Sequence, residues 1–522
     1  MARQPGTKKK QPTQTTAQRL DSIIKSARKH MRKDRGLNTD LERLPTLVWV
    51  MFLKFLDDKE RIEEEKSVLS GTPFKPAIAR PYRWRDWAAK SEGITGPDLI
   101  RFVNDEKAVL PGSEEEGPGL FAYLRSLRNG GSGKDRRDVI ANAFRSISNR
   151  AESGYVLRDV INLIDDIHFT SSEEMQILGR LYETLLREIR DAAGQSGEFY
   201  TPRPVVRFMV NVTDPRLGET VLDPACGTGG FLTEAFEHLS AQCRTVADRK
   251  TLQTASIFGG EVKSLPYMLA EMGLLLHGLE APQIDPENGL RHRLTDIGEK
   301  DRVNVILTNP PFGGEEEKGI LNNFPEDKRC QETTLLFLQM IMRRLKKAGK
   351  GRAAVVVPNG TLFGDGVAAR IKADLIENYN LHTVVRLPEG VFAPYTDIPA
   401  NLIFFDTSGP TKDIWFYEHP LPPDRRKYTK TNALAFEEFE PCLSWWANRE
   451  ETERAWKVHG HDLIQRDAEG KVVSCNLDLK NPNAADALDH RPPAELVDSL
   501  ITHERRILDI LAEIKATLAE PV

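Results

Sequence analysis

The spacing of apolar residues changes along this 522-residue chain, and the changes divide it. From 17 to about 190 the spacing is mainly helical. Apolar positions cluster over 44–56, and after a Ser171-Ser172 cap they recur at Met175, Leu178, Leu181, Leu185 and Ile189, the stripe of a helix packed on a core. From 195 to about 410, short apolar runs bounded by turn residues alternate with helical stretches. The runs 220–222, 256–259, 303–307, 353–357, 383–387 and 402–405 read as strands, which predicts the α/β class with a doubly wound sheet. A further strand is expected over 414–417, then mixed structure to 470. After Asn476 a linker containing Pro and Asn leads past Pro492-Pro493 to a last helix. That helix has one apolar face, carried by Val497, Leu500, Ile501, Ile507, Leu508, Leu511, Ile514 and Leu518 and broken at Glu504.

Two segments punctuate the strand ends. Asp223-Pro224-Ala225-Cys226-Gly227-Thr228-Gly229-Gly230-Phe231 follows the run 220–222, and Asn309-Pro310-Pro311-Phe312 follows 303–307. Both fall at carboxyl ends of strands, where open α/β sheets hold their ligands. In the first, glycines permit a tight turn whose free N–H groups open a helix. Asp223 is expected to fix that turn by accepting its N–H groups. Thr228, Gly229 and Gly230 are expected to pass under a cofactor, because a side chain at either glycine would block backbone approach. In the second, an Asn amide beside a rigid Pro pair and an aromatic ring suits an exocyclic amine and the base that carries it. Either segment alone is compatible with an ordinary tight turn. In this order they predict a cofactor cradle facing an amine-methylation site. Glu261, after the second strand, is placed either to accept from ribose hydroxyls or as a solvated strand-end acid. Asp296 is a weaker candidate for the adenine ring, and Cys226 reads as packing rather than a nucleophile.

On these residues the chain resembles the amino-methyltransferases that use S-adenosylmethionine, in particular the N6-adenine DNA methyltransferases. Gly197-Glu198-Phe199-Tyr200-Thr201-Pro202-Arg203 precedes the first strand. Further matches are Leu53-Lys54-Phe55-Leu56-Asp57-Asp58-Lys59-Glu60, Leu181-Tyr182-Glu183-Thr184-Leu185-Leu186, Leu387-Pro388-Glu389-Gly390-Val391-Phe392-Ala393-Pro394-Tyr395 and Asn476-Leu477-Asp478-Leu479-Lys480-Asn481-Pro482-Asn483. Together they resemble the modification (M) subunit of Type I restriction-modification systems, from about Arg43 to the end of the chain. The resemblance implies a methyltransferase sheet with a mainly helical N-terminal domain and a C-terminal helical tail. It implies that S-adenosylmethionine is held by Glu198, Phe199, Tyr200, Thr201, Pro202, Arg203, Asp223, Gly227, Thr228, Gly229, Gly230 and Glu261, with Pro202 and Pro204 stiffening one wall. Asn309, Pro310, Pro311 and Phe312 would then be catalytic. The Asn309 side-chain oxygen and Pro310 carbonyl would draw the amine toward tetrahedral geometry, while Phe312 stacks on a base flipped from the duplex. Implied partners are DNA, a specificity (S) subunit that chooses the site and receives the last helix, a second M subunit, and a restriction (R) subunit. The same tetrapeptide serves N4-cytosine methyltransferases and protein-glutamine and ribosomal-RNA amine methyltransferases, and a non-catalytic assembly subunit would also keep the fold.

Composition limits the setting. The length predicts about two or three domains. The expected division is a basic leader 1–16, a helical domain 17–190, the methyltransferase domain 195–470 and a linker with a partner-binding helix over 471–522. Cysteines at 226, 243, 330, 442 and 475 form no Cys-x-x-Cys pair, which fits a reducing cytoplasm. No run approaches the ~20 apolar residues of a membrane span. His459 and His461 read as solvated, and no metal-ligand set is predicted. Net charge is −5, although residues 1 to 36 carry eleven Lys or Arg against two Asp, either a solvated leader or an arm for DNA. The Gly-rich run 129–133 is either a surface loop or a docking point. The stretch 313–331 is either an ordinary loop or one that orders on DNA.

Overall fold

The computed structural model describes residues 16–89, 93–128, 136–145, 147–167, 201–313, 316–393, 396, 398–423, 425–429, 431–483, 504, 505 and 508. The stripe from Met175 to Ile189, the run 129–133, the segment Glu198-Phe199-Tyr200 and the last apolar helix as a unit lie outside the described residues.

Nine strands form the central sheet: β3 Val221–Asp223, β4 Ile257–Gly260, β5 Ile284–Asp285, β6 Val305–Thr308, β7 Arg352–Pro358, β8 Asn380–Arg386, β9 Ala400–Asp406, β10 Asp413–Glu418 and β11 Ala455–His459. Two hairpins lie apart from it, β1 Lys107–Val109 with β2 Glu116–Pro118, and β12 Ile464–Arg466 with β13 Val472–Cys475. The order across the sheet is β11-β10-β8-β9-β7-β6-β3-β4-β5. Chain order reverses at the β3/β6 pair, and the chain winds outward from it in both directions. Every pair from β5 to β7 is parallel, as is β8 with β10. β9 runs antiparallel between β7 and β8, so the sheet is mixed. A parallel connection needs a crossover of a dozen or more residues, usually helical, whereas an antiparallel return does not. The β8–β9 connection shows turns and no helix among its described residues.

The strands read as apolar runs because both faces are covered. Alternate residues go to opposite sides: Val221, Val305, Leu307, Ala354 and Val356 to one core, Leu222, Ile306, Ala353, Val355 and Val357 to the other. Helices Thr333–Arg344 and Val367–Asn378 cover the second face. Helices Arg203–Thr213, Gly230–Ser240 and Ser264–Leu276 cover the first.

The last of these helices is buried on every side from Pro266 to Leu276. One flank meets the sheet core; the other meets helices Asp40–Ser70 and Arg136–Ala143 of the N-terminal region. The apolar cluster therefore runs unbroken from Trp49, Phe52, Phe102, Phe121 and Phe144 through Leu269 and Leu274 to Val305. Trp49 and Phe121 meet edge to face at 5.2 Å. Asp40–Ser70 begins where the Thr39 N–H donates to Glu42 Oε2 at 2.8 Å and ends at Gly71, in the left-handed region at φ 68°. Among the described residues no helix is long and apolar enough to cross a membrane.

Leu274 is fully buried in the helix shared by both regions. Leu274→Ala is expected to cost about 2–5 kcal/mol, because the surrounding sheet and helices cannot collapse onto the void. Urea unfolding followed by far-UV circular dichroism checks this, with a cost under 1 kcal/mol contradicting a rigid double-sided contact.

Candidate active site

The two segments singled out in the sequence follow adjacent strands. β3 and β6 pair in register Val221↔Val305 and Leu222↔Ile306, which brings the glycine turn and Asn309 to the same end of the sheet, at the switch point. A cleft there is lined by Thr201, Arg203, Asp223, Ala225, Cys226, Gly227, Thr228, Gly230, Phe231 and Asn309.

The turn is built from its own backbone. Cys226 N–H donates to the Gly260 carbonyl at 2.9 Å, and Gly229 N–H to the Cys226 carbonyl at 2.8 Å. Asp223 Oδ1 accepts from Ala225 N–H at 3.2 Å, the role its position predicts. With only 1% of its surface exposed, Asp223 has its carboxyl pushed up to about 7 by burial. Burial likewise holds the Cys226 thiol well above its ordinary range, so it stays protonated and un-nucleophilic.

Gly227 and Gly229 take φ of 54° and 80°, where other residues are strained. At Gly229 a Cβ would stand 3.1 Å from the Ala270 Cβ, on the shared helix behind the turn. Its conformation and its packing against Ala270 each favour glycine there. Gly230 does line the cleft, yet a Cβ there would make only ordinary contact with Arg203 Nη1 at 3.5 Å.

Glu261 stands behind the turn rather than in the cleft lining. Its Oε2 accepts from Gly227 N–H at 3.0 Å and its Oε1 from Lys263 N–H at 2.7 Å, while burial raises its carboxyl to about 7. Arg203 Nη1 donates to the Gly230 carbonyl at 3.2 Å, joining the segment before the sheet to the first helix after the turn. Pro202 stands at the start of helix Arg203–Thr213, where its carbonyl accepts from Val206 N–H at 3.1 Å. Asp296, in a short exposed 3₁₀ turn, is not brought to the cleft.

On the β6 side Asn309 Nδ2 donates to Thr201 Oγ1 at 3.0 Å. This points its Oδ1 the other way, and that oxygen is buried with no hydrogen-bond partner among the described residues. A buried acceptor left unmade costs about 1–3 kcal/mol, so this oxygen is poised to accept from a further donor. The Pro311 carbonyl accepts from Thr334 Oγ1 at 3.0 Å, seating the tetrapeptide on the helix below. The half-buried Phe312 ring lies 6.4 Å from that of buried Phe392 at 62°. The stretch containing Phe392 is visible in the sequence, but its meeting with Phe312 needs the β8–β9 loop to fold back over β6. The stretch 313–331 is structured where described, with a helix Lys318–Leu321, a 3₁₀ turn Glu326–Lys328, and buried Phe324.

Strand order, the antiparallel β9 and a ligand cleft at the β3/β6 switch point define an S-adenosylmethionine-dependent methyltransferase fold. Comparison with known proteins narrows the class. The profile of the N-6 DNA Methylase family matches residues 173–476. The Type I restriction enzyme EcoEI methylase subunit of Escherichia coli is 45% identical over 508 residues, covering 96% of this chain and 97% of that one. The crystal structure of a modification subunit of a putative type I restriction enzyme from Vibrio vulnificus YJ016 is similar at 63% identity and a TM-score of 0.83, covering 92% of this chain and 100% of that chain. This chain belongs to the N-6 DNA methylase family, as a Type I restriction enzyme methylase subunit.

Two measurements test the turn. Gly229→Ala is expected to destabilise the protein by roughly 1–2 kcal/mol from its left-handed backbone alone, read as a lower thermal midpoint; an unchanged midpoint contradicts the conformational account. For Glu261, a folded-state value near 7 against an ordinary ~4.3 means that the folded protein retains a proton the unfolded chain has lost. Its contribution to stability is present below about pH 4 and declines toward pH 7. The stability of Glu261→Gln relative to the unsubstituted protein should therefore rise over that interval in denaturant titrations, and a flat difference counts against the assignment.

Proposed function

We propose that this subunit transfers a methyl group from S-adenosylmethionine to N6 of adenine in DNA, at a site selected by a specificity subunit. The single observation that carries the reading is the buried, unpartnered Asn309 Oδ1, held beside the glycine turn and aimed away from Thr201. When bound, the cofactor supplies an activated methyl on a sulfonium. Thr201, Pro202, Arg203, Asp223, Gly227, Thr228, Gly229 and Gly230 form or support its cradle, and the family resemblance adds Glu198, Phe199 and Tyr200 to the cofactor-binding set. Glu261 braces the turn through Gly227 and keeps acceptor capacity for ribose hydroxyls.

An adenine amine is a poor nucleophile because its lone pair is delocalised into the ring. Asn309 Oδ1, together with the Pro310 carbonyl, accepts its two N–H bonds and turns the nitrogen toward tetrahedral geometry. Pro310 and Pro311 hold that acceptor pair rigid, and Phe312, backed by Phe392, stacks on the base. Much of the rate then comes from orientation, which is worth up to ~7–11 kcal/mol for well-aligned reactants. The base must leave its duplex to reach this depth. A specificity subunit, a second copy of this chain and a restriction subunit complete the assembly. One similar solved chain, 38% identical at a TM-score of 0.74, comes from structural work on complex assembly and conformational transition of the type I R-M system, which supports the same arrangement. The net charge of −5 favours a partner that supplies much of the DNA grip.

Transfer of labelled methyl to DNA by the assembled complex, followed by nucleoside analysis, tests the function. N4-methylcytosine as product would replace the adenine reading. Asn309→Ala is expected to keep cofactor affinity, measured by calorimetry, while methylation falls on the order of 10²-fold or more. Undiminished turnover would remove Asn309 from the mechanism.

A further inference from the structure

The loop after β7 carries an unusual arrangement. A short helix, Asn359–Leu362, ends in Phe363, followed by Gly364 and Gly366 at φ of 105° and 64°. Leu362 is buried, whereas Phe363 is 48% exposed. The backbone of this exposed aromatic is held by a buried cation. Lys372, only 1% exposed, donates through Nζ to the carbonyls of Leu362 and Phe363 at 2.9 Å each and lies 3.5 Å from that of Gly364. Leu477 N–H adds a second bond to the Leu362 carbonyl at 2.7 Å. Burying an ammonium is costly, and its value drops to about 8 as a result. That cost fixes a piece of backbone whose side chain adds little to the core.

The loop is also tied to the target-base side of the cleft. β7 is parallel to β6, with Thr308 level with Val355, so both strands end at the same edge of the sheet. Thr361 Oγ1 donates to Glu332 Oε1 at 3.0 Å, and Thr334, two residues beyond Glu332, holds the Pro311 carbonyl. On its other flank, Asn359 N–H donates to the Pro399 carbonyl at 2.8 Å, beside Ile398, which is 52% exposed. Single exposed apolar side chains need no explanation. Here two occupy adjoining loops beside the tetrapeptide, and one is pinned by a buried lysine.

We propose that Phe363 is a DNA-contacting wedge. It stacks on the bases next to the extruded adenine and fills duplex space that the flipped base leaves, with Ile398 as a second apolar contact. This rests on the base-flipping reading above. A duplex suits the feature because an aromatic face stacks on any base, so a fixed wedge serves whatever sequence the partner subunit selects.

The test uses the full complex with its specificity subunit and a duplex carrying 2-aminopurine at the target position. Phe363→Ala is expected to lower the fluorescence rise on binding and to raise the KM for DNA about tenfold, the scale of losing one base-aromatic stack. Cofactor affinity, thermal midpoint and co-purification with the specificity subunit should stay unchanged, and Phe363→Trp should restore the fluorescence. A Phe363→Ala complex matching the unsubstituted one in fluorescence and KM overturns the wedge while leaving base flipping intact. Loss of the specificity subunit from that variant also overturns it, assigning Phe363 to a protein interface. No fluorescence rise in the unsubstituted complex would sink both the wedge and the flipping on which it rests.

Discussion

The cleft depends on the register between β3 and β6, and a reciprocal clamp at the start of the two strands sets that register. Thr220 N–H and Oγ1 both reach Asn304 Oδ1 at 3.1 Å, while Asn304 N–H returns to Thr220 Oγ1 at 3.1 Å. Val305 N–H donates to the Thr220 carbonyl at 2.9 Å, and Lys346 Nζ anchors Asn304 Oδ1 at 2.8 Å. A slip of one residue would turn every side chain of β6 to the opposite face. Ile306 would exchange cores with its neighbours, and Asn309 would lose its alignment with the glycine turn. Clamping at the amino ends leaves the carboxyl ends free to carry irregular, functional backbone.

Around that clamp the molecule is organised by one helix with no solvent side. Ser264–Leu276 faces the sheet with one flank and the N-terminal helices with the other, and Ala270 on it closes against Gly229. Glu271, fully buried there, has its carboxyl pushed well above the ordinary range by burial. Tyr267, one turn earlier, is also fully buried. The glycine turn therefore rests on a surface that the N-terminal region itself helps to hold in place, and changes in that region's packing can reach the turn through this helix.

Carboxyls near the turn share one physical condition. Asp223 and Glu261 are both raised to about 7 because burial penalises charge more than their backbone N–H donors compensate. Stability given up there is held at the site, ready to be recovered when a cationic or hydroxyl-rich ligand arrives. The same reasoning applies to Asn309 Oδ1, a neutral acceptor placed where no described residue supplies a donor. Sites that violate the rules of packing and hydrogen bonding are where function is expected.

Much of this was legible along the chain because local chemistry leaves local marks. Apolar runs bounded by turns located β3, β4, β6, β7, β8, β9 and β10 to within a few residues. The glycine turn and Asn309-Pro310-Pro311-Phe312 declared their chemistry by residue type. What the sequence could not carry depends on which elements meet. β5, with two residues, and β11 to β13 have no periodicity to read. The antiparallel setting of β9 depends on how its connection returns rather than on its own composition. Gly229 against Ala270 and Phe312 against Phe392 join residues far apart in the chain, and only the tertiary structure decided them. Periodicity reports which side of an element is buried; it says nothing of what buries it.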